Sequence, residues 1–261
     1  MAIRVPYLHE EQIERDAAAL LADYERSRGE KILRVVPIED IVEKHLKLGI
    51  EFDDMHKRLR VPRSGLGLDP DILGAMFFNE RSIVIDESLD PVESSNKEGR
   101  YRFTLAHEGG HWRLHRHLLA KDPAQVSLFN EPAPPSVVCR SSQAKEPAEW
   151  QADFYASCLL MPRELVLAAW AEIFPDRKAR VVAPAVPVEH PFVEVRRFEC
   201  RIPGAEFVET DDSVLDGVAR PLAEQFLVSP TAMRIRLEKL GLLHRMVPHQ
   251  RIIASGACPL F

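Results

Sequence analysis

The stretch Thr104-Leu105-Ala106-His107-Glu108-Gly109-Gly110-His111-Trp112 constrains this chain more than any other. Two histidines four residues apart share a face only on a helix, and a carboxylate directly after the first lies about 100° further round the axis. Imidazoles placed in this way reach one metal ion, while the carboxylate can address a water on that ion. Phe103, Leu105, Ala106 and Leu114 recur around them at helical spacing, which predicts a helix from about Lys97 to His117. A catalytic zinc keeps three protein ligands and one open position, so the fold must bring a further ligand to this helix.

Two residues compete for that role. Glu149 opens a second helix-like segment on which Asp153 stands four residues later, so Glu149 can bind metal while Asp153 accepts the outer N–H of a ligand histidine. His117 stands ten residues after His107, a spacing that serves as a third ligand only where a glycine turns the chain between them. Leu114 lets the helix continue instead and carries His117 roughly 9 Å beyond His111. The spacing therefore favours Glu149. His115 and His117 are expected to be cationic residues at a helix C-terminus.

The remaining chain reads as α+β. Ile13, Ala17, Leu20, Leu21 and Tyr24 predict a helix from about Glu10 to Arg26, ended by Gly29, and a second is expected between Pro37 and Gly49. Ile50 to Phe52, Gly74 to Phe78 and Ser82 to Ile85 have strand character, the last two forming a hairpin that could lend an edge to an extended peptide. The prolines between Leu118 and Pro147 read as a long irregular connection. Helices follow from Glu149 to Leu160 and from Met161 to about Glu172. The segment 174–210 is expected to add strands, and Ser213 to Leu243 forms two apolar helices around Val228-Ser229-Pro230. This divides the chain into residues 1–172, a metal-dependent domain with N-terminal helices; 173–211, an insertion; and 212–261, a helix-turn-helix-like unit with a tail.

Net charge of −6 argues against a general polyanion binder, and no apolar run approaches a membrane span. The N-terminus lacks the apolar core of a signal peptide, and Cys139, Cys158, Cys200 and Cys258 form no CxxC pair, so a reducing, cytoplasmic setting is expected.

Together with the HExxH segment, the run Glu149-Trp150-Gln151-Ala152-Asp153-Phe154-Tyr155-Ala156-Ser157-Cys158-Leu159-Leu160-Met161-Pro162 resembles the ImmA/IrrE family of zinc metallopeptidases. Leu222 to Pro230 and Arg236 to Leu242 extend the likeness, whereas the long 174–210 segment departs from it. The resemblance implies a compact thermolysin-like fold, a zinc site of His107, His111 and Glu149, and cleavage of a helix-turn-helix repressor. It also suggests a stress or DNA-damage signal, with single-stranded DNA as a candidate activator.

In this reading Glu108 is the catalytic base, taking a proton from water whose pKa the zinc has lowered. The oxyanion partner stays open between Tyr155 and nearby histidines. Cys139 is a candidate inhibitory fourth ligand, because a thiolate in the open position would exclude water; the alternative is an ordinary, partly buried cysteine. Arg234, Arg236 and Lys239 on the last helix suit DNA phosphates or plain packing equally. A different function therefore stays open: a DNA- or repressor-binding regulator with a structural zinc. Glu108 argues against it, since a structural site would be closed by four protein ligands.

Overall fold

The computed structural model describes residues 5–60, 72–93, 97–119, 137–140 (backbone alone), 146–182 and 211–245. Helix α1, Glu10–Arg28, starts where the Gln12 side chain accepts from the His9 backbone N–H. It stops at Gly29, whose φ of 70° is the left-handed cap that glycine adopts without steric cost. Its buried stripe is Ile13, Ala17, Leu20, Leu21 and Tyr24, as the periodicity requires. The expected helix up to Gly49 is shorter. Helix α2, Ile38–Asp40, runs into a π-helical turn at Ile41–His45, Lys47 then takes a φ of 58°, and Gly49 already opens strand β1, Gly49–Asp53.

Helix α3, Met55–Leu59, capped by Asp54, precedes strands β2, Ile72–Phe77, and β3, Ser82–Asp86. The long helix α4, Glu98–Leu119, and the short strand β4, Val137–Arg140, come next. Sheet order is β1-β3-β2-β4, with β1 parallel to β3 and the other pairs antiparallel. Both strands of the predicted hairpin are therefore interior, and the outer strands are β1 and β4. Nothing in the proline-rich connection announced β4, because four residues are too few for a period-2 signal to stand out.

Alternation splits the sheet between two apolar clusters. Met76, Ile83 and Ile85 face the main core, which holds Leu105 and Ala106 of α4, while Ala75, Phe77 and Val84 pack with Met55 on the opposite face. Ile72 joins the second cluster although it is out of phase with Ala75 and Phe77, and the register shift between Ile72 and Gly74 accounts for the change.

Helices α5, Pro147–Leu160, and α6, Arg163–Ile173, lead to strand β5, Arg180–Val182. Helices α7, Asp211–Phe226, and α8, Pro230–Lys239, lead to strand β6, Leu243–Arg245, which pairs in parallel with β5. Leu215, Leu222, Phe226, Met233 and Leu237 belong to the same cluster as Leu159 and Trp170, so one core runs across the expected boundary between 172 and 212. The result is a mixed α+β fold with a small sheet and many helices. No helix is long and apolar enough to cross a membrane among the described residues. Cys200, Cys258 and the strands expected within 183–210 lie outside the described residues.

Candidate metal centre

Helix α4 runs unbroken through Leu114, so His107 and His111 share the face that meets α5. The two helices approach closely because position 110 has no side chain: a Cβ there would lie 3.2 Å from Tyr155 Cβ and 3.3 Å from the Ala152 carbonyl oxygen. This approach brings Glu149, in the first turn of α5, onto the histidine pair. His107 Nε2 lies 3.2 Å from Glu149 Oε2, His111 Nε2 lies 3.5 Å from Glu149 Oε1, and the two Nε2 atoms are 2.9 Å apart. All three residues are buried, and they are the group of metal-capable side chains found among the described residues.

The outer nitrogens explain why these donors suit a cation. His107 Nδ1 donates to Asp153 Oδ1 at 2.8 Å, as the spacing of Glu149 and Asp153 predicts. His111 Nδ1 is 3.0 Å from His115 Nδ1. With a proton on each Nδ1, both Nε2 lone pairs converge beside a carboxylate, an arrangement that repels itself unless a positive charge stands between them. Two imidazoles and one carboxylate fit zinc in its three-ligand, open form.

Charge placement agrees. Burial alone would raise the Glu149 carboxyl, but the adjacent His107 and His111 rings hold it down to about 2. Burial lowers His111 to about 4, which keeps the ring neutral and its lone pair available.

Glu108, fully buried, points to the sheet side of the group. A Cβ at Gly74 would lie 3.3 Å from Glu108 Oε1 and 2.9 Å from Thr104 Cγ2, so β2 can pass this close only as glycine. Neither Glu108 oxygen has a hydrogen-bond partner among the described residues. Burial pushes its carboxyl up to about 8 against the pull of His107, with the Glu149 and Asp153 charges adding to the rise. A buried carboxyl without a partner is expensive and marks a functional position.

Other expectations resolve differently. His117 is exposed and apart from the group, in keeping with a helix that continues past Leu114. His115 is not a cation at a helix end: it is buried, burial lowers its pKa, and its Nε2 lies 2.9 Å from Gln151 Oε1. The i, i+4, i+8 spacing of His107, His111 and His115 was the available signal. Gln151 carried none. Tyr155 is fully buried, with its hydroxyl near the Asp16 and Arg113 charges and without a hydrogen-bond partner among the described residues. Cys139 stands on β4 opposite Gly74 in the backbone register, and its side chain lies outside the described residues.

The last helices bury Arg234 and Arg236 and leave Lys239 exposed. Arg236 is 1% exposed, donating to the Met161 carbonyl at 3.0 Å and to Glu14 at 2.5 Å. Arg234 donates to Asp216 at 2.6 Å, and Lys239 to Glu10 at 2.5 Å. Arg234 and Arg236 are taken up in intramolecular packing, whereas Lys239 is exposed and both roles stay open for it.

Residues 81–186 match the peptidase M78 family model, described as the IrrE N-terminal-like domain. No curated protein matches the chain. The matched segment contains His107, Glu108, His111, Glu149 and Asp153.

Proposed function

We propose, from the match of residues 81–186 to the IrrE N-terminal-like domain, that the chain is a zinc-dependent endopeptidase. The observation that carries this reading is the convergence of His107, His111 and Glu149 beside a buried, unpartnered Glu108. A zinc ion held by the three would supply a Lewis acid for the scissile carbonyl and an acidified water. Glu108 accepts the proton of the attacking water and returns it to the departing amine, so no serine or cysteine nucleophile is needed. Asp153 holds His107 in the tautomer that leaves Nε2 free. A thermolysin-like arrangement of the domain and a helix-turn-helix-like character of the α7–α8 pair belong to the same reading.

The family likeness supports a helix-turn-helix repressor as the substrate, cut in the cytoplasm after a stress or DNA-damage signal, with single-stranded DNA a candidate activator. Cys139 is the proposed inhibitory ligand of the resting enzyme, and the register of β4 supports it by setting its backbone opposite Gly74, the residue packed on Glu108. Cys139→Ser should then raise basal cleavage, since a hydroxyl is a poorer zinc ligand than a thiolate.

The deciding experiment co-expresses the protein with the small repressor encoded nearest to its gene and follows fragment formation and zinc content. His107→Ala, His111→Ala and Glu149→Ala should each lose zinc, whereas Glu108→Gln keeps zinc and yields no fragment. Unchanged zinc in Glu149→Ala would overturn the ligand assignment. A fragment still formed by Glu108→Gln would remove the base.

A further inference from the structure

His111 is oriented by a chain of neutral groups, and that chain begins at a backbone carbonyl. Gln151 donates from Nε2 to the Pro6 carbonyl oxygen at 2.8 Å. A carbonyl can only accept, which fixes the amide orientation and turns Oε1 toward His115. That oxygen lies 2.9 Å from His115 Nε2, so the proton of a neutral His115 sits on Nε2 and its Nδ1 carries a lone pair. The lone pair faces His111 Nδ1 at 3.0 Å, and the one arrangement that satisfies both rings puts the proton on His111 Nδ1. His111 Nε2 is then left unprotonated, directed at His107 Nε2 and Glu149.

We propose that His115 and Gln151 are positioning residues that lock His111 in its metal-binding tautomer and tie the metal site to the N-terminal segment at Pro6. The inference rests on the zinc reading of the His107, His111 and Glu149 group. The two ligand histidines are thus held by different means. His107 is fixed by the half-exposed carboxylate of Asp153, whereas His111 is fixed deep in the α4–α5 interface without any charge. A carboxylate in the place of Gln151 would meet the Pro6 carbonyl oxygen head-on, so only an amide, which both donates and accepts, completes the chain.

The test measures zinc affinity by competition with a chromophoric chelator, alongside the melting temperature of the metal-free protein. His115→Phe fills the same space but removes the acceptor, and zinc affinity should fall roughly 10- to 100-fold, the range typical of groups that orient a ligand histidine. His115→Asn returns an amide oxygen near the position of Nδ1 and should recover most of that loss at a comparable melting temperature. Gln151→Met, close in volume and without the Oε1 acceptor, should also weaken zinc, and it decides the matter if His115→Phe does not fold. Parental affinity in either His115→Phe or Gln151→Met overturns the proposal while leaving the zinc reading intact. Equal loss in His115→Asn and His115→Phe overturns the hydrogen-bond account in favour of packing. A parent protein that binds no stoichiometric zinc removes the underlying reading itself.

Discussion

Glu108 combines complete burial with two oxygens that meet no donor among the described residues, and its ordinary pKa of 4.5 is displaced upward to about 8. Desolvation dominates in the metal-free site and outweighs His107, which favours the carboxylate. The consequence for stability has a definite sign. A carboxyl whose folded pKa exceeds its unfolded one contributes stability below about pH 4.5, and the contribution is lost as pH rises through about 8. His111, lowered from 6.5 to about 4, acts in the opposite sense: its contribution is present above about pH 6.5 and is lost as pH falls through 4. Comparing metal-free parent with metal-free Glu108→Gln cancels the histidine contribution, because glutamine is neutral throughout. Urea denaturation from pH 5 to 8.5 should show the parent losing stability relative to the variant as pH rises. A constant difference across that range would show that Glu108 titrates normally. In the sequence, His107, Glu108 and His111 were legible because one helix fixes their relations. Glu149 and Asp153 were legible for the same reason on a second helix. His115 was misread, since its partner Gln151 stands on the other helix and no spacing within one segment reports a contact between two.

At the level of elements, the site is an α4–α5 pair laid against β2, and glycines at 110 and 74 permit the two close approaches. Gly74 is the sharper case, because its neighbours include the proposed base. A methyl at that position meets Thr104 Cγ2 at 2.9 Å and Glu108 Oε1 at 3.3 Å, so the α4–β2 spacing must open or Glu108 must swing. Overpacking of this kind costs about 1–3 kcal/mol. Gly74→Ala should therefore lower the melting temperature modestly and keep zinc, since the three atoms nearest that Cβ belong to Thr104, Glu108 and Ile85 and not to a proposed ligand. Its turnover should fall at least tenfold, because proton transfer depends on the position of Glu108. Zinc content and cleavage rate measured on one preparation separate the effects, and parental turnover would show that Glu108 is not held by β2. Periodicity revealed α1, whose burial is one-sided, and α4, while β2 and β3 were legible as short apolar runs buried on both faces. It did not reveal α3 or β4, which are too short to repeat. The placement of the hairpin strands inside the sheet depended on β1 and β4, partners remote in sequence.

Over the whole molecule, the C-terminal helices raise the question of whether they act as a separate binding unit or as part of one body. Arg236 answers it physically. Its guanidinium reaches the Met161 carbonyl at the α5–α6 corner, Cys158 Sγ at 3.4 Å and Glu14 of α1, so one buried side chain of α8 joins three parts of the chain. Burial, with the Arg236 charge working against it, raises the Cys158 thiol to about 12, so the sulfur stays neutral and adds no second charge to this junction. A cation so enclosed is unavailable to a phosphate, and Arg234 is likewise buried against Asp216, whereas Lys239 pairs with Glu10 at the surface. Arg236→Met conserves much of the volume and removes every one of these bonds, leaving Glu14 to rehydrate at the edge and the Met161 carbonyl unpaired. The expected loss is about 2–3 kcal/mol, below the full penalty for a broken buried pair because the Glu14 side chain is 25% exposed. Since the apolar cluster is continuous from Ile13 to Leu243, that loss should move a single unfolding transition to lower urea without dividing it, and zinc should be released in the same transition. Circular dichroism and zinc release followed on one titration test this. An early step that melts helix while zinc stays bound would show that α7 and α8 fold as a unit of their own.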